Sequence, residues 1–290
     1  MSSSFPPTVL VHGYWHGSWC WTPVVRELAS RRIWSVAVDL AGHGLNRKPP
    51  ASASRRPFDL AAFSREKSPV ASVSASAAAD ALLAEIELLG GGSPCPVVAH
   101  SMGGAVVTVA AEKRPELFDS VTYVSAFAPV SGISALDYLT SEQAADSVVL
   151  SLLTGDPAES GASRLDLGSD DLRNRVQSAF YHDVDDRTAE AAIDSLSHDA
   201  PLAMATEPIS VTRERFGSIQ HSYLTCDLDK IVPPALQKRF VAELDTVSVR
   251  PTTVVNLHSS HSPFLSCPGM LADALQESWR RARDGAVSSA

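Results

Sequence analysis

The segment PVVAHSMGGAVVTVAAEKRPE, residues 96–116, carries a strand, a turn and a helix in immediate succession. An apolar run from Pro96 to Ala99 gives way at Ser101 to small residues. Apolar positions then recur at three- and four-residue spacing from Met102 to Lys113. A serine held on a strand-to-helix turn has its hydroxyl pushed above the sheet, and the turn tolerates only very small side chains two residues to either side. Gly103 meets that demand. Ala99 stands where the pattern G-x-S-x-G has its first glycine, and adds one methyl group to a crowded turn. The competing reading of the string alone is a packing turn without chemistry.

Working outward, short β-branched runs bounded by Gly and Pro predict further buried strands at Thr8 to Val11, Ser35 to Val38, Val121 to Ser125, Ser222 to Cys226 and Thr253 to Leu257. Helical spacing falls between them, at Trp21 to Ser30, Ser76 to Leu89, Pro234 to Glu243 and Pro268 to Arg283. Such alternation requires right-handed crossovers and a mostly parallel, doubly wound α/β sheet covered on both faces. Two stretches break it. Residues 46–75, rich in Pro, Ser and charge, read as a long surface excursion, and residues 130–211 read as an inserted helical lid. The expected division is a core of residues 1–129 and 212–290 with the lid between them. Gly90, Gly91 and Gly92 precede a strand rather than follow one, the wrong side for a phosphate cradle.

A serine hydroxyl is a weak nucleophile and needs a base that is itself oriented by a carboxylate. His261 lies in the loop after the last strand and before the last helix, followed by a Ser-Pro turn. His258, three residues earlier, falls at the strand end and is the rival base. The preceding strand-end loop offers Asp227 and Asp229, with Asp229 favoured as the acid. The order Ser, Asp, His is that of the α/β-hydrolases. Two backbone N–H groups must then meet the developing oxyanion. Met102, at the helix N-terminus after the nucleophile, supplies one, and Tyr14, after the close-approach residue Gly13, the other. Trp15 and Gly13 are expected to contact substrate. His12 and His16 read as structural hydrogen-bonders.

Length and composition, 290 residues with 44% hydrophobic and 20% charged, fit a globular chain with a sizeable core. A net charge of −9 repels polyanions, so nucleic acid is a poor partner. The apolar run near the N-terminus is too short for a signal peptide or membrane span and lacks a basic flank, so a cytoplasmic protein without membrane contact is expected. Cys20, Cys95, Cys226 and Cys267 are widely spaced and form no CxxC, which predicts free thiols and neither disulfide nor zinc site. No metal or cofactor is expected. The sequence is silent on whether the chain forms a homodimer.

The segments VLVHGYWHGSWCW, VDLAGHG, VAHSMGGA, RFGSIQHSYLTCDLDKIVPPALQKRF and SSHSPFLSCP together resemble the plant methyl esterase and hydroxynitrile lyase branch of the α/β-hydrolase fold, with its bacterial esterase relatives. The resemblance spans nearly the whole core. It implies an α/β-hydrolase fold, a catalytic acid directly before Lys230, hence Asp229, and a lid in which Phe180, Tyr181 and His182 either approach the substrate or pack the lid. Tyr181 is taken as substrate-binding. Lyases of this branch are expected to carry a threonine at the place of Gly13 and a lysine directly after the catalytic histidine, where this chain has Ser262. The expectation is therefore a cofactor-free serine esterase acting on small to medium apolar esters through Ser101, His261 and Asp229. Lactone-opening or cyclising chemistry, lyase chemistry and a non-catalytic small-molecule receptor stay open.

Overall fold

The computed structural model describes residues 6–288; residues 1–5, part of the segment on which the leader expectation rests, and 289–290, assigned to the core, lie outside the described residues. Ten strands occur among the described residues: β1 (Thr8–Val11), β2 (Ser35–Val38), β3 (Cys95–His100), β4 (Phe118–Val124), β5 (Ser131–Ile133), β6 (Ala162–Arg164), β7 (Asp199–Pro201), β8 (Ile209–Ser210), β9 (Gln220–Cys226) and β10 (Thr253–Leu257). Six of them form the main sheet in the order β10-β9-β4-β3-β1-β2, and every pair in it is parallel.

The apolar runs of β1 and β3 do not alternate with polar residues because both sheet faces are covered. Val9, Val11, Val97, Ala99, Val121 and Tyr123 pack on one face with the helices Ala75–Gly90, Gly103–Lys113 and Pro234–Val247. Leu10, Val98, Val124 and Leu224 face the other way, against the helices Thr22–Ser30 and Pro268–Ser288. The helix before β3 opens on Ser74, whose hydroxyl caps the Ala77 amide, and closes at Gly91 with φ 57°. The triple glycine is thus a helix stop.

Between β4 and β9 the chain leaves the sheet and returns. Expected as helical only, this insertion also holds two antiparallel ladders: β5 pairs with β8 at its two ends, and β6 pairs with β7 in its middle. Its helices Asp170–Phe180 and Asp186–Ser195 begin at Ser169 and Asp185, each of which caps the amide three residues on. The excursion of residues 46–75 is less free than its composition suggests. It contains the helix Leu60–Arg65, and Arg164 of β6 clamps it from within. The Arg164 guanidinium grips Asp199 through two bonds of 2.6 and 2.8 Å, and donates to the carbonyls of Phe63 and, at 3.0 Å, Glu66. Arg164 is fully buried, so only this complete set of partners makes its charge tolerable there. No helix among the described residues is long and apolar enough to cross a membrane.

Candidate active site

Ser101 follows the last residue of β3 with φ 52°, a left-handed conformation costing a non-glycine residue about 1–3 kcal/mol. The surrounding backbone holds it there. Its amide donates to Val124 of β4 at 3.4 Å, and its carbonyl accepts from Gly104 and Phe127, each at 3.0 Å. Both glycines after Met102 are demanded by crowding. A Cβ on Gly103 would sit 2.3 Å from the His12 carbonyl oxygen, and one on Gly104 would sit 2.2 Å from that of Phe127. Ala99 is fully buried, in register with Val11 and Tyr123.

The two candidate acids and two candidate bases sort themselves into pairs. Asp229 Oδ2 lies 2.7 Å from His261 Nδ1, with both side chains wholly inaccessible to solvent. Asp227 and His258, from the same two loops, pair at 3.0 Å but remain 40% and 75% exposed. A carboxylate only accepts, so Nδ1 of His261 carries the proton and Nε2 is left as an acceptor. That nitrogen is buried and has no hydrogen-bond partner, Ser101 Oγ included. Asp229 is itself fixed: Oδ1 accepts from the amides of Ile231 at 2.6 Å and Val232 at 3.0 Å, and Oδ2 accepts from the Ser125 hydroxyl.

Ser125 is a residue that sequence reading places at the end of a strand and nothing more. It sits just past β4 with φ 40°. Because β4 lies between β3 and β9, its C-terminal end borders both the Ser101 turn and the Asp229 loop. Strand order alone therefore brings it to the site. Asp183 is a second unforeseen contributor. Its carboxylate accepts from the Ser260 amide at 2.7 Å, tying the insertion to the loop that carries His261.

The loop after β1 folds over Ser101. A Cβ on Gly13 would lie 2.5 Å from Cβ of Ser101 and 3.0 Å from its Oγ, so no larger residue fits. Gly13 does this by contact with the serine and is not part of the cavity wall. Among the described residues neither the Tyr14 nor the Met102 amide donates to a protein acceptor, and both residues border the cavity at Ser101. His12 and His16 hold the loop. His12 bonds the Gly13 carbonyl through Nδ1 at 2.7 Å and accepts from the Leu40 amide at 3.1 Å, while His16 bonds the Tyr14 carbonyl at 2.8 Å. Burial holds these rings neutral, with pKa lowered to about 4 for His12 and about 3 for His16. His100, whose Nε2 donates to the His261 carbonyl at 2.7 Å, is likewise held well below the usual value, first by burial and then by its histidine neighbours.

A cavity of about 110 Å³ opens from Ser101 between the sheet and the insertion. Its walls are Tyr14, Trp15, Met102, Phe127 and Ile231 from the core and mostly leucine, valine and alanine from the insertion, with no charged residue. Trp15 lines it. Tyr181 does not: it is fully buried elsewhere, its hydroxyl 2.8 Å from His16 Nε2, and it ties the insertion to the loop after β1. Phe180 packs edge-on against the His261 ring with centroids 5.5 Å apart, and His182 is exposed. Trp19 and Trp21 pack in the core, stacked on His16 and buried against Phe264 respectively.

Comparison with known proteins agrees with this architecture. A methyl jasmonate esterase of Vitis vinifera is 28% identical over 93% of this chain and 95% of its own. Among solved structures, a pyrethroid hydrolase superimposes with a TM-score of 0.68 at 21% identity, covering 94% of this chain and 97% of its own. A polyneuridine aldehyde esterase does so with a TM-score of 0.69, also at 21% identity, over 94% and 99%. The sequence pattern of the alpha/beta hydrolase family matches residues 8–274. With a serine on the turn after β3, a histidine after β10 and an insertion between β4 and β9, the chain belongs to the alpha/beta hydrolase family.

Proposed function

We propose that this protein is a serine esterase that cleaves carboxylic esters of small to medium, largely apolar substrates through Ser101, His261 and Asp229, with residues 130–211 as the cap over the site. The observation that carries the proposal is the buried His261–Asp229 pair, 2.7 Å apart, which leaves Nε2 of the imidazole bare while the ring packs on His100, the residue before the strained serine. The grapevine relative's name points to the same chemistry, and the uncharged cavity suits an apolar substrate portion.

In the proposed cycle the substrate carbonyl settles over Ser101. The hydroxyl swings to His261 Nε2, a contact that forms with substrate bound, and gives up its proton as Oγ attacks. The imidazolium so formed is stabilised by Asp229, itself anchored by two amides and Ser125. The amides of Tyr14 and Met102 receive the oxyanion. Collapse expels the alcohol, which takes the proton from His261, and leaves an acyl-enzyme. Water activated by His261 then adds to the acyl carbon, Ser101 departs with the proton, and the free acid is released.

Lyase chemistry is disfavoured by the same geometry. A side chain at position 13 would drive its Cβ into Ser101, and the position after His261, where the resemblance implies a lysine in the lyases, holds Ser262, a buried hydroxyl. Hydrolysis of a 4-nitrophenyl ester by the protein and by Ser101→Ala tests the proposal. Folded Ser101→Ala protein should be inert, and retained turnover would overturn the assignment.

A further inference from the structure

Ser101 and His261 follow strands that do not touch. In the order β10-β9-β4-β3-β1-β2 two strands separate β3 from β10, a gap of about 14 Å at the usual strand spacing. No main-chain ladder therefore fixes one loop against the other. Among the described residues, the loop 258–262 is hydrogen-bonded to the acid loop through Asp227, Leu228 and Asp229, and to the insertion through Asp183 and Phe180. Among the same residues one bond ties it to the nucleophile strand: Nε2 of His100 donates to the His261 carbonyl at 2.7 Å.

His100 ends β3 and directly precedes Ser101, so its main chain carries the nucleophile while its side chain holds the loop of the base. The residue is fully buried, with its ring centroid 4.5 Å from that of His261 and Phe264 edge-on at 4.9 Å. A carbonyl only accepts, so the proton sits on Nε2 and Nδ1 is left as an acceptor. Nδ1 has no partner, and a Cβ on Gly13 would lie 3.2 Å from it. Burial keeps the ring neutral, so no second proton is left there without an acceptor. A buried nitrogen without a partner is still costly. A phenyl ring would fill the same space among Phe264, His16 and Trp21 without that cost. What the imidazole supplies and a hydrocarbon ring does not is the grip on the His261 carbonyl.

We infer that His100 is a positioning residue that sets the distance between nucleophile and base, holding Ser101 through the peptide bond and the His261 loop through Nε2. The inference rests on the esterase reading of Ser101 and His261. His100 does not line the cavity at Ser101, so its effect falls on turnover rather than on binding.

Two amides of different reach separate this brace from packing alone. The side-chain amide of Gln extends about as far as Nε2 of a histidine, whereas that of Asn stops near the place of Nδ1, and both bury the same polar group. His100→Gln should keep kcat for a 4-nitrophenyl ester within about threefold of the parent. His100→Asn should lower it about ten- to hundredfold with KM little changed, the scale of a misplacement on the order of 1 Å. His100→Phe, which fills the space without a donor, should lose as much, and thermal melting identifies the variants that fold. Parental kcat in either variant without the donor, equal losses in His100→Gln and His100→Asn, or a loss confined to KM would overturn the brace. The rate of fluorophosphonate labelling of Ser101 should follow the same ranking without any ester. Labelling in that ranking without ester hydrolysis sinks the esterase reading alone, and hydrolysis at equal rates in every variant sinks the brace alone.

Discussion

Nδ1 of His261 stands 2.7 Å from Oδ2 of Asp229 in a place no solvent reaches, although the loop bearing each residue also offers an exposed alternative. Burial is the physical discriminator. A carboxylate that orients an imidazole in a water-free setting contributes far more than one screened by solvent. Asp229→Asn should lower kcat by about 10⁴-fold, the scale for a triad left in the wrong tautomer. Asp227→Asn and His258→Ala should leave kcat within about twofold, as exposed pairs contribute little. Steady-state kinetics on one nitrophenyl ester would decide it, and equal losses for both aspartates would contradict the assignment.

Ser125 donates to the same carboxylate oxygen that receives His261. Removing a hydrogen bond to a charged acceptor while leaving the others intact predicts that Ser125→Ala lowers kcat on the order of tenfold with KM little changed. A wild-type kcat would show that the two amides of Ile231 and Val232 suffice to hold Asp229.

Gly13 has no room for a side chain against Ser101. Gly13→Ala should displace the loop that presents the Tyr14 amide and cost ~10²–10³ in kcat, the range for loss of one oxyanion donor. Activity within a few-fold of the parent, in a variant that melts normally, would mean that Tyr14 is not that donor.

Stability should fall in acid for a reason unconnected with the site. His221 is buried against Phe216, and its pKa is lowered from the ordinary 6.5 to about 3, chiefly by burial. Between those values the unfolded chain takes up a proton that the folded one refuses, so stability is whole above about pH 6.5 and declines as pH falls toward 3. His221→Gln should remove a slope of about 1.4 kcal/mol per pH unit from urea-unfolding free energies across that window. Parallel curves for parent and variant would contradict it.

The six strands of the main sheet and the serine turn were legible because each is a local pattern: an uninterrupted apolar run, a small-residue turn, a helical repeat. The order of motifs along the chain gave an acid before a histidine but left Asp227 beside Asp229 and His258 beside His261; the choice of Asp229 leaned on the resemblance, which implies an acid directly before Lys230. The insertion was not legible to the same depth. Strands of three residues such as β5 and β6 are too short to show a period, and the excursion around Phe63 is organised by Arg164, about a hundred residues away in sequence. Ser125 escaped notice for a related reason: it owes its surroundings to the neighbouring strands and sits in no motif. Tyr181 was assigned to substrate from its place in the lid, whereas its hydroxyl reaches His16 and its ring is buried away from the cavity.

Turnover by this protein requires Ser101 to be a nucleophile activated by His261. Reaction with a fluorophosphonate, followed by intact mass and peptide mapping, reads that property without knowledge of the substrate. One phosphonyl adduct per chain on Ser101 is predicted, absent from Ser101→Ala and strongly slowed in His261→Ala. A chain that stays unlabelled, or one labelled on another residue while Ser101 is untouched, would contradict it.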